Sequence, residues 1–441
     1  MVSSRFGGIA AIAIVVGCLV AGPSSRGFAQ ILIVGNDEKQ GWDENAKPIF
    51  REPGKDSLTV IDISKPDMPR ITASIPLMNS VVGPPTNLAI TPSGEIALVA
   101  NSLEPLVQGW GHRLEPDNKV FLIDLKANPP AAIGTITIGK QPSGMAISPK
   151  GDLALVTNRA DGTISVLSIR GRDVLVVDTV PVGVAADSVS AVAITPDGKH
   201  ALAVKSAANK VALLSIDGQK VTYGKRDLPA GIFPYNVAVT PDGKHALATK
   251  ANANKVALLS IDGQKVTYDK RHLPAGIFPY NIAVTPDGKL ALTADTGNGG
   301  SSDGNADTIS VIDLEANPPR VIDHVTVGDS PEGLAISPKG DLAVTIEARG
   351  SNMPKTAFFH HSAGAVTALK IDGKKVTNVG EINVGGLPEG AVFSPDGQYL
   401  YVGNFMDGDL WVLRVEGSKL TDTSQRIKLP GHPASLRGGP Q

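Results

Sequence analysis

The chain has 441 residues, of which 48 are glycine, 33 proline and one cysteine, with 42% hydrophobic residues and a formal net charge of −2. That apolar content supports a large core, and the near-neutral balance without a basic cluster argues against nucleic acid or an anionic membrane as partner. A lone cysteine, Cys18, excludes an internal disulfide and a Cys-x-x-Cys-His haem attachment, and a chain cleaved after it would hold no thiolate metal ligand.

Arg5 precedes an apolar run from Phe6 to Ala21, and small residues follow at Gly27 and Ala29. Residues 1–29 read as a secretory leader cleaved before Gln30, which makes the protein periplasmic or secreted. Loss of Arg5 and Arg26 takes the net charge from −2 to −4. The run is short for a bilayer span, so no membrane span is expected. Val15-Val16-Gly17-Cys18 also fits a loose bacterial lipobox, so a lipid anchor at Cys18 is the alternative processing. Residues 30–441 form one domain.

That domain opens with three strand-like runs, Ile31–Asn36, Ser57–Ile63 and Arg70–Leu77. Seven copies of Ser/Thr-Pro-x-Gly follow, with prolines at Pro92, Pro149, Pro196, Pro241, Pro286, Pro338 and Pro395, 45 to 57 residues apart. A fixed period of this size marks a repeat architecture. Around Pro241 the unit reads strand (236–240), Pro-Asp-Gly hinge, strand (246–249), strand (255–261), Asp262-Gly263 turn and strand (265–268). No helical period is sustained outside the leader. Four antiparallel strands per unit, repeated radially, predict an all-β fold, a β-propeller.

The first unit lacks its first strand, and the chain ends in His432-Pro433-Ala434-Ser435-Leu436, which is like the first-strand start Ser330–Leu334. The C-terminus is therefore expected to supply the missing inner strand and close a ring of eight blades. The alternative is seven blades with the N-terminal strands packed outside.

Leu155-Val156-Thr157-Asn158 and Tyr401-Val402-Gly403-Asn404 resemble the Tyr-Val-Thr-Asn motif of bacterial YVTN β-propeller repeat proteins. The hinges Ile194–Gly198 and Phe393–Gly397 resemble that family's companion motif. The resemblance covers nearly all of the mature chain and implies the fold. It extends to propeller lactonases and quinoprotein subunits, but no motif here lets lactonase catalytic residues be placed, and fold alone does not carry function.

Two polar registers repeat with the hinges. Seven residues after each hinge glycine stand Asn101, Asn158, Lys205, Lys250, Asp295, Glu347 and Asn404, with Asn36 in the matching place of the first unit. Six residues before each hinge proline stand Thr86, Ser143, Ser190, Tyr235, Tyr280, Glu332 and Glu389. Both are expected to ring the channel mouth on the face opposite the hinges. Lys205 and Lys250 flanked by Tyr235 and Tyr280, then Asp295, Glu332, Glu347 and Glu389, would polarise that mouth for a small molecule or protein partner. The competing reading has these residues merely bonding strand ends. Near-identity of residues 213–236 and 258–281, which differ only at Gly224/Asp269 and Asp227/His272, points to blade duplication and weakens the lysines as a functional signal.

The connections after Asn36, Asn101, Asp295 and Glu347 are long, and two share Gln-Gly-Trp, at 40–42 and 108–110. Asp303-x-Asn305-x-Asp307, with Asp295 nearby, places oxygen ligands at alternate positions, so calcium is a possible cofactor, set against a plain polar loop. His360 and His361 beside Glu332 and Glu347 could bind zinc or serve as general base, although adjacent histidines rarely share one ion. Gly300-Ser-Ser-Asp-Gly304 lacks the strand–helix context of a nucleophile elbow.

Two functions remain from these residues. One is a binding module that uses the long-loop face. The other is a lactonase-like hydrolase in which Glu332, Glu347 and His360 are the candidate catalytic groups.

Overall fold

A computed structural model describes residues 30–439, apart from residues 44, 80–86, 109–110 and 264. The leader, Cys18, Thr86 and the second Gln-Gly-Trp at its Gly and Trp lie outside the described residues. Two one-turn 3-10 segments, Ala185–Asp187 and Ala251–Ala253, are the helical elements among them. No described helix is long and apolar enough to cross a membrane.

Eight four-stranded antiparallel sheets form the ring. Blade 1 takes Ile31–Asp37, Ser57–Asp62 and Arg70–Pro76, with the C-terminal His432–Gly438 as its inner strand. Blades 2 to 8 are led by inner strands Leu88–Ile90, Pro142–Ile147, Val189–Ile194, Pro234–Val239, Pro279–Val284, Pro331–Ile336 and Pro388–Phe393. Asn36 stands opposite Pro433 in blade 1, as Asn404 stands opposite Pro388 in blade 8. The closing strand is thus in register with its counterparts, and the seven-blade alternative fails.

Burial follows position in the blade. A second strand such as Leu342–Glu347 is buried at every residue, because both faces press on neighbouring sheets. The outer strand Lys375–Asn383 is mostly exposed. Eight apolar clusters fill the eight blade interfaces, and the one between blades 8 and 1 packs Leu32, Val34 and Ile61 on Tyr401 and Val412. No single blade could bury these faces alone.

Each hinge is a closed turn. In blade 4 the Gly198 amide donates to the Thr195 carbonyl at 2.8 Å, and the His200 amide donates to Thr195 Oγ1 at 3.0 Å. Thr195 Oγ1 in turn donates to Asp197 at 2.6 Å. Gly198 has φ +69°, a conformation that favours glycine.

The long connections lie on the face opposite the hinges. The one after Asn36 forms a hairpin, Gln40–Trp42 with Pro48–Phe50, and Trp42 meets Phe405 of blade 8 edge-on at 5.3 Å. The one after Asn101 is not a loop for most of its length: strands two and three of blade 2 run on as a ribbon, Ile96–Gln108 against Gly111–Asp124. The loops after Asp295 and Glu347 dock on each other, the Gly350 amide donating to Ser302 Oγ at 2.7 Å.

Candidate functional site

The two polar registers separate. The strand-two register is interior: Asn101, Asn158, Lys205, Lys250, Asp295, Glu347 and Asn404 are all buried, so they do not form the expected ring at the mouth. For the blades whose lead-in segment is described, the cause is that segment, which crosses over these residues on a glycine. A Cβ on Gly276 would lie 2.6 Å from Asp295 Oδ2, and one on Gly231 would lie 2.1 Å from Lys250 Cε. Those glycines recur in the sequence as Gly-x-x-Pro at Gly139, Gly231, Gly276, Gly328 and Gly385, a signal the hinge-centred reading passed over.

Beneath that cover the register bonds the third strand. Asn158 donates to Thr163 and Ser165 at 2.8 and 2.9 Å, and Asn404 donates to Asp409 at 2.9 Å. Asn101 donates to Asp117 at 2.8 Å and also to Glu104. Lys205 donates to the Val182 carbonyl at 2.9 Å and pairs with Asp227 and Asp187 at 3.1 and 3.2 Å. Lys250 has His272 Nδ1 at 2.8 Å instead, and burial, with Lys255 nearby, lowers its pKa. Asp295 accepts from Thr293, Thr308, Ser310 and the Gly276 amide, yet burial still holds its pKa above the usual range. Neither carboxylate oxygen of Glu347 makes a well-formed hydrogen bond. The Thr367 hydroxyl and the Gly328 amide only weakly favour its charged form, and burial outweighs them and pushes its pKa to about 7.

The inner-strand register reaches the channel wall at Tyr280, Glu332 and Glu389, with Tyr235 packed beside Tyr280. Tyr235 and Tyr280 stack at 4.4 Å with their hydroxyls 2.9 Å apart. Glu332 and Glu389 continue the arc on blades 7 and 8. Burial raises both carboxyls, and the charge of Glu332 raises Glu389 further, so the pair retains a proton near neutrality. Burial also raises Tyr235 and Tyr280, which keeps both phenols protonated as neutral hydrogen-bond donors or acceptors. Ser143 and Ser190 are buried.

The expected calcium set is not assembled. Asp303 accepts from the Asn305 amide at 2.9 Å, and Asp307 accepts from the Ser330 amide at 2.8 Å. Asp329 instead receives the Asp303 and Gly304 amides. Burial, with Asp329, Asp303 and Asp295 nearby, pushes Asp307 to about 6. No three His, Cys, Asp or Glu side chains among the described residues gather as a metal set. His360 holds the Gly350 carbonyl at 3.1 Å, away from a zinc arrangement.

A cavity of about 900 Å³ runs along the axis. Its walls extend from the hinge residues Pro92 and Pro149 to Tyr280, Glu332 and Glu389, and include Asn236, Asn281 and Arg437. Asn236 donates to Asn281 across adjacent blades at 3.0 Å. On the opposite face the rim is apolar where the connections are short. Val184, Ile232 and Ile277 stand at the starts of three consecutive blades with exposures of 61%, 57% and 61%, and Phe358 on the blade 7 loop reaches 91%. Phe233 and Phe278 back this arc against Tyr235 and Tyr280. The paired Gly-Ile-Phe-Pro segments at 231–234 and 276–279 carried that signal in the sequence.

Residues 172–273 match the family described as lactonase, 7-bladed beta-propeller. The chain is a β-propeller similar to that lactonase-like family. Its ring has eight blades where the family description has seven. No curated protein matches the sequence. Among solved structures, the dihydro-heme d1 dehydrogenase NirN is similar with a TM-score of 0.64 at 17% identity, over 93% of this chain and 75% of that one. Apo AztD from Citrobacter koseri has a TM-score of 0.58 at 14% identity, over 93% and 98%. The periplasmic gluconolactonase PpgL of Pseudomonas aeruginosa has 0.52 at 17% identity, over 93% and 99%. At such identities the likeness is one of fold.

Proposed function

We propose that this protein is an exported binding module that docks a protein partner on the face opposite the hinges. The observation that carries the reading is the apolar arc of Val184, Ile232, Ile277 and Phe358 around the mouth. Solvent-exposed aliphatic and aromatic side chains gathered on one rim of a rigid ring favour burial against a partner. The ring holds them at fixed spacing, so little ordering is lost on docking. Export rests on the leader-like residues 1–29 and accords with the periplasmic description of the similar PpgL. A photo-cross-linking residue at position 277 is expected to trap a partner that the same residue at hinge position 242 does not. Equal trapping at both positions would remove the reading.

A second reading is hydrolysis of a cyclic ester, favoured by the Glu332–Glu389 pair on the cavity wall and by the lactonase match over residues 172–273. The ionised member would take a proton from water as it attacks the ester carbonyl, and the protonated member would donate to the leaving alkoxide. Turnover of a lactone panel that falls at least a hundredfold in both Glu332→Gln and Glu389→Gln would support it. No turnover above the buffer rate would dismiss it.

A further inference from the structure

The closing strand carries one residue that its seven counterparts do not. Arg437 stands opposite Ile33 in blade 1, as Val392 stands opposite Tyr401 in blade 8. At this register, three residues before each hinge proline, the other blades place Ala89, Ala146, Ala193, Ala238, Ala283, Ala335 and Val392. Six alanines and a valine leave room in the lumen, and one guanidinium enters it. Arg437 lies on the wall of the axial cavity together with Ala89, Ala146, Ala193, Ala335 and Val392.

Its side chain is exposed to the lumen, and its Nε donates to the Leu88 carbonyl at 3.2 Å. That bond fixes the plane of the group and leaves the terminal nitrogens directed elsewhere. No carboxylate among the described residues comes within ion-pair distance of it, although charged side chains elsewhere in the protein are commonly paired. Surrounding protein lowers its pKa with no neighbouring charge to offset the loss of water. A permanently charged group confined in this way gains most from an anionic partner.

We propose that Arg437 is the seat of a small anion at the hinge end of the axial channel, through a carboxylate or phosphate group held by its terminal nitrogens. A planar guanidinium presents two parallel donors that suit either group. Glu332 and Glu389 stand on the inner strands of blades 7 and 8, three register positions nearer the opposite face, an axial offset of roughly 10 Å at the rise of a β-strand. With the pair holding a proton, that end of the cavity offers hydrogen-bonding groups to a neutral polar tail and repels a second anionic end. The site therefore suits a molecule with one anionic end and a hydroxylated or amide-like remainder. It stands apart from the apolar arc and does not depend on partner docking.

The test is calorimetric titration of the mature protein, at fixed ionic strength, with inorganic phosphate and separately with succinate. One equivalent of either probe should bind, at least tenfold more weakly in Arg437→Lys and undetectably in Arg437→Gln. Binding of phosphate alone assigns a phosphoryl ligand, and of succinate alone a carboxylate ligand. Because Arg437 sits on the ring-closing strand, the wild type is also treated with phenylglyoxal and mapped by mass spectrometry. Arg437 should be modified in the free protein and protected by the bound probe. Absence of binding by both probes at millimolar concentration, or equal modification with and without them, would overturn the proposal. The readouts are ion binding and arginine protection, so they stand or fall separately from partner trapping at position 277.

Discussion

Lys250 Nζ lies 2.8 Å from His272 Nδ1, in the place where the preceding blade sets Lys205 against Asp227 at 3.1 Å. The two blades are otherwise near-copies, so a single change has turned an ion pair into an amine facing an imidazole. Lys250 and His272 each have a lowered pKa, burial being the larger cause for both. His272→Asp is expected to stabilise the protein by about 1–2 kcal/mol at pH 7, as an ion pair replaces a bond to an uncharged imidazole. A folded-state pKa below the unfolded value means that the native state binds the Lys250 proton less well. Its contribution to stability therefore rises with pH towards the ordinary value of 10.5, whereas that of His272 is complete above 6.5. The substitution should remove that rise. Urea unfolding of both forms at pH 7 and pH 9 measures it.

Glu347 gives the opposite slope. Its carboxyl is buried with no well-formed hydrogen bond, and burial outweighs the weak help of Thr367 and the Gly328 amide and raises its pKa to about 7. A folded pKa above the unfolded one makes the protonated native form the stable one. That stability is complete below about pH 4.5 and declines as pH climbs towards 7. At 1.36 kcal/mol per pH unit the total is about 3 kcal/mol. Glu347→Gln should match the wild type near pH 4.5 and exceed it above pH 7. Melting temperatures across that range check it.

Ring closure depends on the last strand. His432–Gly438 pairs with Ile31–Asp37, and removing it would uncover Leu32, Val34 and the Tyr401 side of blade 8. Deleting residues 432–441 is expected to abolish cooperative unfolding or lower the melting temperature by more than about 10 °C. Calorimetry of the truncated chain decides it; a melt like that of the full chain would contradict the closure.

The hinges made the fold legible, because Ser/Thr-Pro-x-Gly has one purpose, a tight turn whose hydroxyl bonds the backbone, as at Thr195 and His200. The matching His432–Leu436 announced closure for the same reason. The site was less legible. Position along a strand gives the face of the disc but not depth, so Lys205 and Glu347 looked like mouth residues until the crossing glycines placed them inside. Asp303 and Asp307 have ligand spacing along the chain, but each turns one carboxylate oxygen to a neighbouring amide, and the described side chains do not gather as a set. Arg437 carries no such signal, because its strand lacks the hinge from which the two polar registers are counted.

The proposed function rests on the apolar arc opposite the hinges acting as a docking surface. Capture from an extract of the source organism, using the mature wild type beside Ile232→Asp/Ile277→Asp, tests it most directly. A partner held by the wild type in stoichiometric amount and at least tenfold less by the double variant, with both melting alike, is the predicted result. The same partner retained equally by both proteins would contradict the account.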